Sequence, residues 1–180
     1  MRIVCISDTH GLADKITIPD GDVLIRAGDF CGFGSKMELS RFDEFLSRLP
    51  HKHKVFIAGN HDVPVEMGGV EFVKKQVPHG IYLQDSSVQI EGLKFYGSPW
   101  QPEFFNWAFN LPRGRELACK WEQIPKGTDI LITHTPPEGI LDITQSGKRV
   151  GCADLRRYVE KIKPKVHIFG HIHESYGMEE

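Results

Sequence analysis

Five short apolar runs in this chain end in the same kind of residue. Ile3–Ile6 is followed by Ser7-Asp8-Thr9-His10, Val23–Ala27 by Gly28-Asp29, and Lys54–Ala58 by Gly59-Asn60-His61-Asp62. Asp129–Thr133 runs into His134, and Val166–Phe169 into Gly170-His171-Ile172-His173. Apolar runs of this length, bounded by glycine and aspartate, read as buried strands. In an open α/β sheet the carboxyl ends of the strands form the edge where ligands bind. Turn chemistry accounts for Asp, Asn and Gly after a strand. It does not account for the histidines, and five of the chain's nine (His10, His61, His134, His171, His173) fall in these segments.

Between the runs lie helical patterns, so the architecture is α/β. Ser35-Lys36-Met37-Glu38 forms a capping box, after which Leu39, Phe42, Phe45, Leu46 and Leu49 keep helical spacing until Pro50. Ile81–Tyr96 reads as two or three short strands turning near Glu91-Gly92, which makes part of the sheet antiparallel. Arg115–Glu122 reads as a short helix. Leu155, Tyr158, Val159 and Ile162 mark a last helix stopped by Pro164. At 180 residues the whole chain, 1–180, is read as a single domain with a sizeable core. A net charge of −2 argues against an extended nucleic-acid surface. No apolar run approaches the ~18 residues of a membrane span. The four cysteines form no C-x-x-C pair and "MRIVCIS" opens on a strand, so the expectation is reduced thiols and a cytoplasmic location.

In extended backbone, residues i and i+2 point the same way, so Asp8 and His10 are expected to converge on one ion. His171 and His173 are expected to reach two neighbouring ions. Carboxylate, amide and imidazole without thiolate suit Mn²⁺, Fe or Zn²⁺. The donors exceed what one tetrahedral ion takes. Shared between two ions, with Asp29 as bridge, they fit a dinuclear centre. Two ions about 3.5–4 Å apart clamp the oxygens of an in-line phosphoryl displacement and activate a shared water.

"DTH", "GDF", "GNHD", "TH" and "GHIH", in that order and each after a strand, resemble the calcineurin-like metallophosphoesterase signature. The stretches "YGSPWQPEFFNWAFNLPRG", "THTPPEGILD" and "VGCADLRRYV" are similar to the small metallophosphoesterase-domain-containing proteins. The resemblance implies a four-layer αββα sandwich of two mixed sheets flanked by helices. It implies that Asp8, His10, Asp29 and His173 hold one metal, and Asp29, Asn60, His134 and His171 the other. Some animal members carry glycine at the position of His171, whereas here the set is complete. The implied nucleophile is a metal-bound hydroxide. His61 would stabilise developing charge or protonate the leaving alkoxide, with Asp62 orienting its imidazole. Family members continue past the last motif with a further strand, whereas four residues follow Tyr176, so the second sheet is expected to lack that strand.

The activity expected is therefore hydrolysis of small phosphate esters, phosphodiesters such as cyclic nucleotides foremost, by two divalent ions, Mn²⁺ first and Fe or Zn²⁺ as alternatives. The competing reading is a non-catalytic scaffold of the same fold. Scaffold members tend to lose ligands or the histidine of "GNHD", and this chain keeps both. Five aromatics between Trp100 and Phe109 admit two readings: a satellite cluster pinning the loop, or rings that line the substrate cleft and stack on a nucleobase. His51, His53, His79 and Arg149 are read as solvated, His167 as a hydrogen-bonded strand residue, and Cys31 and Cys152 as packing.

Overall fold

The computed structural model describes residues 1–180. Its strands are β1 (Ile3–Ile6), β2 (Val23–Ala27), β3 (His53–Ile57), β4 (Ile81–Tyr82), β5 (Ser86–Ile90), β6 (Leu93–Ser98), β7 (Gln101–Pro102), β8 (Asn110–Leu111), β9 (Ile130–Thr133) and β10 (Val166–Ile168). The helices are α1 (Lys36–Arg48), α2 (Val63–Gln76), α3 (Arg115–Trp121) and α4 (Ala153–Ile162). One sheet has the order β1-β2-β3-β4 and the other β10-β9-β6-β5. The first is parallel throughout, where a mixed sheet was expected, because β1 to β4 are separated by loops or helices rather than hairpins. The second is mixed, since only the β5–β6 hairpin runs antiparallel.

Strand alternation sorts the side chains into layers. Val23, Ile25, Ala27, Val55 and Ile57 of the first sheet pack against Ile90, Phe95, Ile130 and Ile132 of the second. On the far face of the first sheet, Leu24 and Phe56 join Leu39, Phe42, Phe45 and Leu46 of α1 and Val65 and Val73 of α2. On the far face of the second, Tyr96 and Leu131 join Leu117 and Trp121 of α3 and Leu155 of α4. This is the αββα order expected. At α1 the capping box forms as read: Ser35 Oγ accepts from the Glu38 amide at 3.3 Å, and Glu38 Oε2 from the Ser35 amide at 2.7 Å. α2 escapes the periodicity argument because Gly68-Gly69 interrupts it, and the helix breaks at Gly69 with φ 74°.

One expectation needs correction away from the site. His51 is buried, only 2% exposed, because the turn into β3 brings its ring against Gly21, which has no side chain to hold it off. Arg149 is exposed as read, while its Nη1 lies 2.7 Å from Oδ1 of the fully buried Asp142. His167 behaves as read, with Nε2 2.8 Å from Thr133 Oγ1. β1 and β10 are outer strands of their sheets. Beside them runs a cleft of about 1030 Å³, lined by Cys5, Ile6, Ile168 and Phe169, whose rim reaches Asp8 and His173. No helix is long and apolar enough to cross a membrane.

Candidate metal centre

The five strand-end segments meet. Donor atoms of Asp8, His10 and His173 lie within 4.8 Å of one another, as do those of Asp8, Asp29 and His134 and those of His10, Asp29 and His61. Asn60 joins the same place. Its Oδ1 is 2.9 Å from both His134 Nε2 and His171 Nδ1. All seven residues expected as ligands are thus brought together, with His61 beside them.

They do not converge by strand alternation, however. Asp8, His10, Asp29 and His171 have φ of 52°, 44°, 50° and 72°. This is left-handed backbone, tolerated by Asp and His but costing about 1–2 kcal/mol per residue. Cross-loop hydrogen bonds hold it. The amides of Asp8, His10 and Gly11 donate to the carbonyls of Gly28, Asp29 and Phe30 at 3.2, 3.0 and 2.9 Å. The two loops after β1 and β2 therefore continue the ladder in irregular form, and both turn their carboxylates inward.

Backbone approach is equally tight. A Cβ at Gly59 would collide with Asp29 Oδ1 and come within 2.6 Å of His134 Cε1, and one at Gly170 would collide with Asp8 Oδ2. Gly59→Ala is expected to cost about 1–3 kcal/mol of stability, as for other overpacked sites, and to weaken Mn²⁺ binding measured by calorimetry. Unchanged melting temperature and unchanged affinity would show that this loop gives way freely.

The charges interlock. Burial alone would raise the Asp8 and Asp29 carboxyls. Against it, the hydrogen bond from His173 and the charge of His134 hold Asp8 low, and the charge and hydrogen bond of His134 hold Asp29 low. Burial disfavours the His134 cation, yet Asp29, with Oδ2 3.5 Å away, outweighs it and raises the imidazole to about 9. The hydrogen bond to Asp8 raises His173, whereas burial lowers His10, and burial with the His134 charge lowers His171 to about 3. The carboxylates of Asp8 and Asp29 thus favour positive charge at His134 and His173, as expected of a site built for cations. His134 Nδ1 faces the Ala27 carbonyl at 2.9 Å, which makes Nδ1 the donor, so that a cation displacing the Nε2 proton would meet the Nε2 lone pair, a usual arrangement for a ligating histidine. The residues therefore fit two divalent ions in oxygen and nitrogen ligation.

Asp62 departs from expectation. Its fully buried carboxylate accepts from the Cys31 amide at 2.8 Å and the Gly59 amide at 2.7 Å. It ties the β2 and β3 loops together and does not touch His61. Burial and the nearby Asp29 charge raise it to about 7. His61 is oriented instead by the Gly32 carbonyl, 3.0 Å from Nδ1, and by Trp107, stacked at 4.2 Å and 29°. Sequence reasoning singled out the aromatic loop but not which ring would reach the site. Trp100 and Phe109 are anchors: the indole donates to Asp85 at 2.8 Å, and Phe109 is fully buried. Trp107 and Phe104 face the imidazoles, the latter edge-on to His171 at 5.9 Å. Phe105 is 80% exposed at φ 49°, and the Asn110 side chain holds it by donating to the Phe104 and Phe105 carbonyls at 3.2 and 2.9 Å.

Known proteins are similar to this chain in sequence and fold. Residues 1–175 match the family model described as calcineurin-like phosphoesterase. The chain belongs to the calcineurin-like metallophosphoesterases. Members of that family depend on a dinuclear metal centre. Human metallophosphoesterase domain-containing protein 1 is 45% identical over 201 aligned residues, which cover 98% of this chain and 62% of that protein. A UPF0046 protein of Caenorhabditis elegans is 41% identical, covering 98% of this chain and 52% of its own length. The chain thus spans about three-fifths and half of the lengths of these relatives. A solved crystal structure superposes with TM-score 0.69 over 95% of this chain and 84% of the other at 18% identity, a likeness of fold.

Proposed function

We propose that this metallophosphoesterase domain hydrolyses small phosphate esters with two divalent ions, phosphodiesters including nucleotides being the preferred class and Mn²⁺ the preferred metal. The observation that carries the proposal is the convergence of Asp8, His10, Asp29, Asn60, His134, His171 and His173 on one point beside His61. Bound there, two divalent ions would supply Lewis-acid charge and lower the pKa of a water. In this reading Asp8, His10, Asp29 and His173 hold one ion, and Asp29, Asn60, His134 and His171 the other. With Nδ1 committed to Gly32, His61 keeps Nε2 for a proton exchanged with substrate.

A panel of phosphate mono- and diesters, assayed after chelation and readdition of Mn²⁺, Zn²⁺ or Mg²⁺, tests the proposal. Hydrolysis restored by Mn²⁺, with diesters ahead of monoesters, is expected. No turnover with any metal would favour a scaffold of the same fold. A net charge of −2 suits a small substrate better than a nucleic-acid polymer. Four free cysteines suit a cytoplasmic location.

The nucleotide preference rests on Phe105, an aromatic ring held out to solvent in the loop that also faces Phe104 to His171. Base stacking on such a ring contributes about 1–3 kcal/mol. Phe105→Ala is therefore expected to raise KM for a nucleotide diester by about 5- to 150-fold, the ratio matching that energy. KM for glycerophosphoethanolamine, which has no ring, should stay within about twofold. Equal effects on both substrates would remove the nucleotide from the reading and leave the phosphoester.

A further inference from the structure

Arg26 is out of place by composition. It stands in β2, the strand between β1 and β3, on the face turned to α1, where its strand neighbour Leu24 packs in the apolar cluster. It is 0% exposed, and its guanidinium carbon lies 5.1 Å from the Phe42 ring centroid. Nη2 donates to Thr9 Oγ1, while Nε and Nη1 have no partner. A buried cation costs several kcal/mol unless opposite charge compensates it. Burial lowers its pKa to about 10, against the opposing charges of Asp62, Asp8 and Asp29 among others, so it is still a cation at neutral pH. Thr9, which receives its hydrogen bond, sits between Asp8 and His10. Arg26 therefore grips the β1 loop from behind and lies in the field of three carboxylates, two of which face the metal centre.

We propose that Arg26 is a positioning residue for the metal centre: a resident cation that compensates Asp8, Asp29 and Asp62 while no divalent ion is bound, and that opposes the ions electrostatically once they bind. The inference rests on the dinuclear reading given above. Its consequence has a sign that ordinary packing does not share. Taking the cation away leaves the carboxylates short of positive charge, so the metal-free protein is weakened while its affinity for divalent ions rises. By linkage, what stabilises the metal-free fold at the expense of metal must be recovered when metal binds.

The test compares wild type with Arg26→Met, Arg26→Gln and Arg26→Lys. Melting temperatures are measured in EDTA and in excess Mn²⁺, and Mn²⁺ affinity by calorimetry on the stripped protein. The neutral variants are expected to melt lower in EDTA, to regain most of that loss in Mn²⁺, and to bind Mn²⁺ about tenfold tighter, a ratio equal to ~1.4 kcal/mol. Arg26→Lys should stay within about threefold of wild type, because charge rather than shape sets the effect. A neutral variant that folds only with Mn²⁺ present would support the inference as well. Equal loss of melting temperature in EDTA and Mn²⁺, with affinity unchanged or weaker, would overturn it and leave Arg26 a packing residue. Failure of both neutral variants to fold in either condition would overturn it too. A wild type that shows no Mn²⁺ binding would sink the metal-centre reading itself, and this inference with it.

Discussion

Asp29→Asn is expected to give a folded protein that holds fewer than two divalent ions and hydrolyses phosphate esters at least about 10³-fold more slowly. That scale follows from the several kcal/mol a Lewis-acid ion contributes to transition-state charge. Asp29 is 2% exposed and divides its oxygens. Oδ1 accepts the His61 amide at 2.8 Å, and Oδ2 lies 3.5 Å from His134 Nε2 and 3.9 Å from His10 Nε2. It is thus the carboxylate set between the His10 side and the His134 side of the centre. Asparagine has the same shape and can still receive the His61 amide through its one oxygen, so the loop has no steric reason to move. What it loses is the charge and the second oxygen, and the NH₂ in its place cannot ligate a cation. Elemental analysis after loading with Mn²⁺, together with circular dichroism and turnover, decides the matter. Wild-type stoichiometry with near-normal turnover would sink the dinuclear centre.

The residues of that centre were legible because they follow strands. A strand end is a local event, readable from an apolar run and what comes after it, and within each of the two sheets the parallel pairs (β1, β2, β3 and β9, β10) place such ends on one edge. How they converge was not legible. Asp8 and His10 reach inward through left-handed backbone braced by the carbonyls of Gly28 and Asp29, and that bracing comes from a loop about twenty residues away. Asp62 shows the same limit. Adjacency to His61 in sequence makes it the natural partner of that imidazole, yet the amides it serves include Cys31, thirty-one residues distant. Arg26 gave no signal at all, since one basic residue in an apolar run reads as an edge or a register error. Only the carboxylates on neighbouring loops give it a reason to be there.

His61→Ala is expected to separate chemistry from metal binding. The variant should retain two divalent ions, because the seven expected ligands are other residues. Its kcat should fall by about 10²–10⁴, the usual range for a lost general acid or base. The imidazole is held in a definite state. Nδ1 faces the Gly32 carbonyl at 3.0 Å and so carries its proton when the ring is neutral, while Trp107 covers one face at 4.2 Å. Nε2 is left as the exchanging atom. If it donates to the leaving oxygen, the deficit must grow with the basicity of the leaving group. An alkyl diester should suffer most and a p-nitrophenyl diester least, since p-nitrophenolate departs without a proton. Asp62→Asn supplies the contrast. Its carboxylate serves the Cys31 and Gly59 amides and not His61, so the variant should lower the melting temperature and leave the ratio between the two esters unchanged. Equal losses on both esters in His61→Ala would reduce His61 to a stabiliser of charge. A leaving-group trend in Asp62→Asn matching that of His61→Ala would restore the orienting role that the structure denies to Asp62.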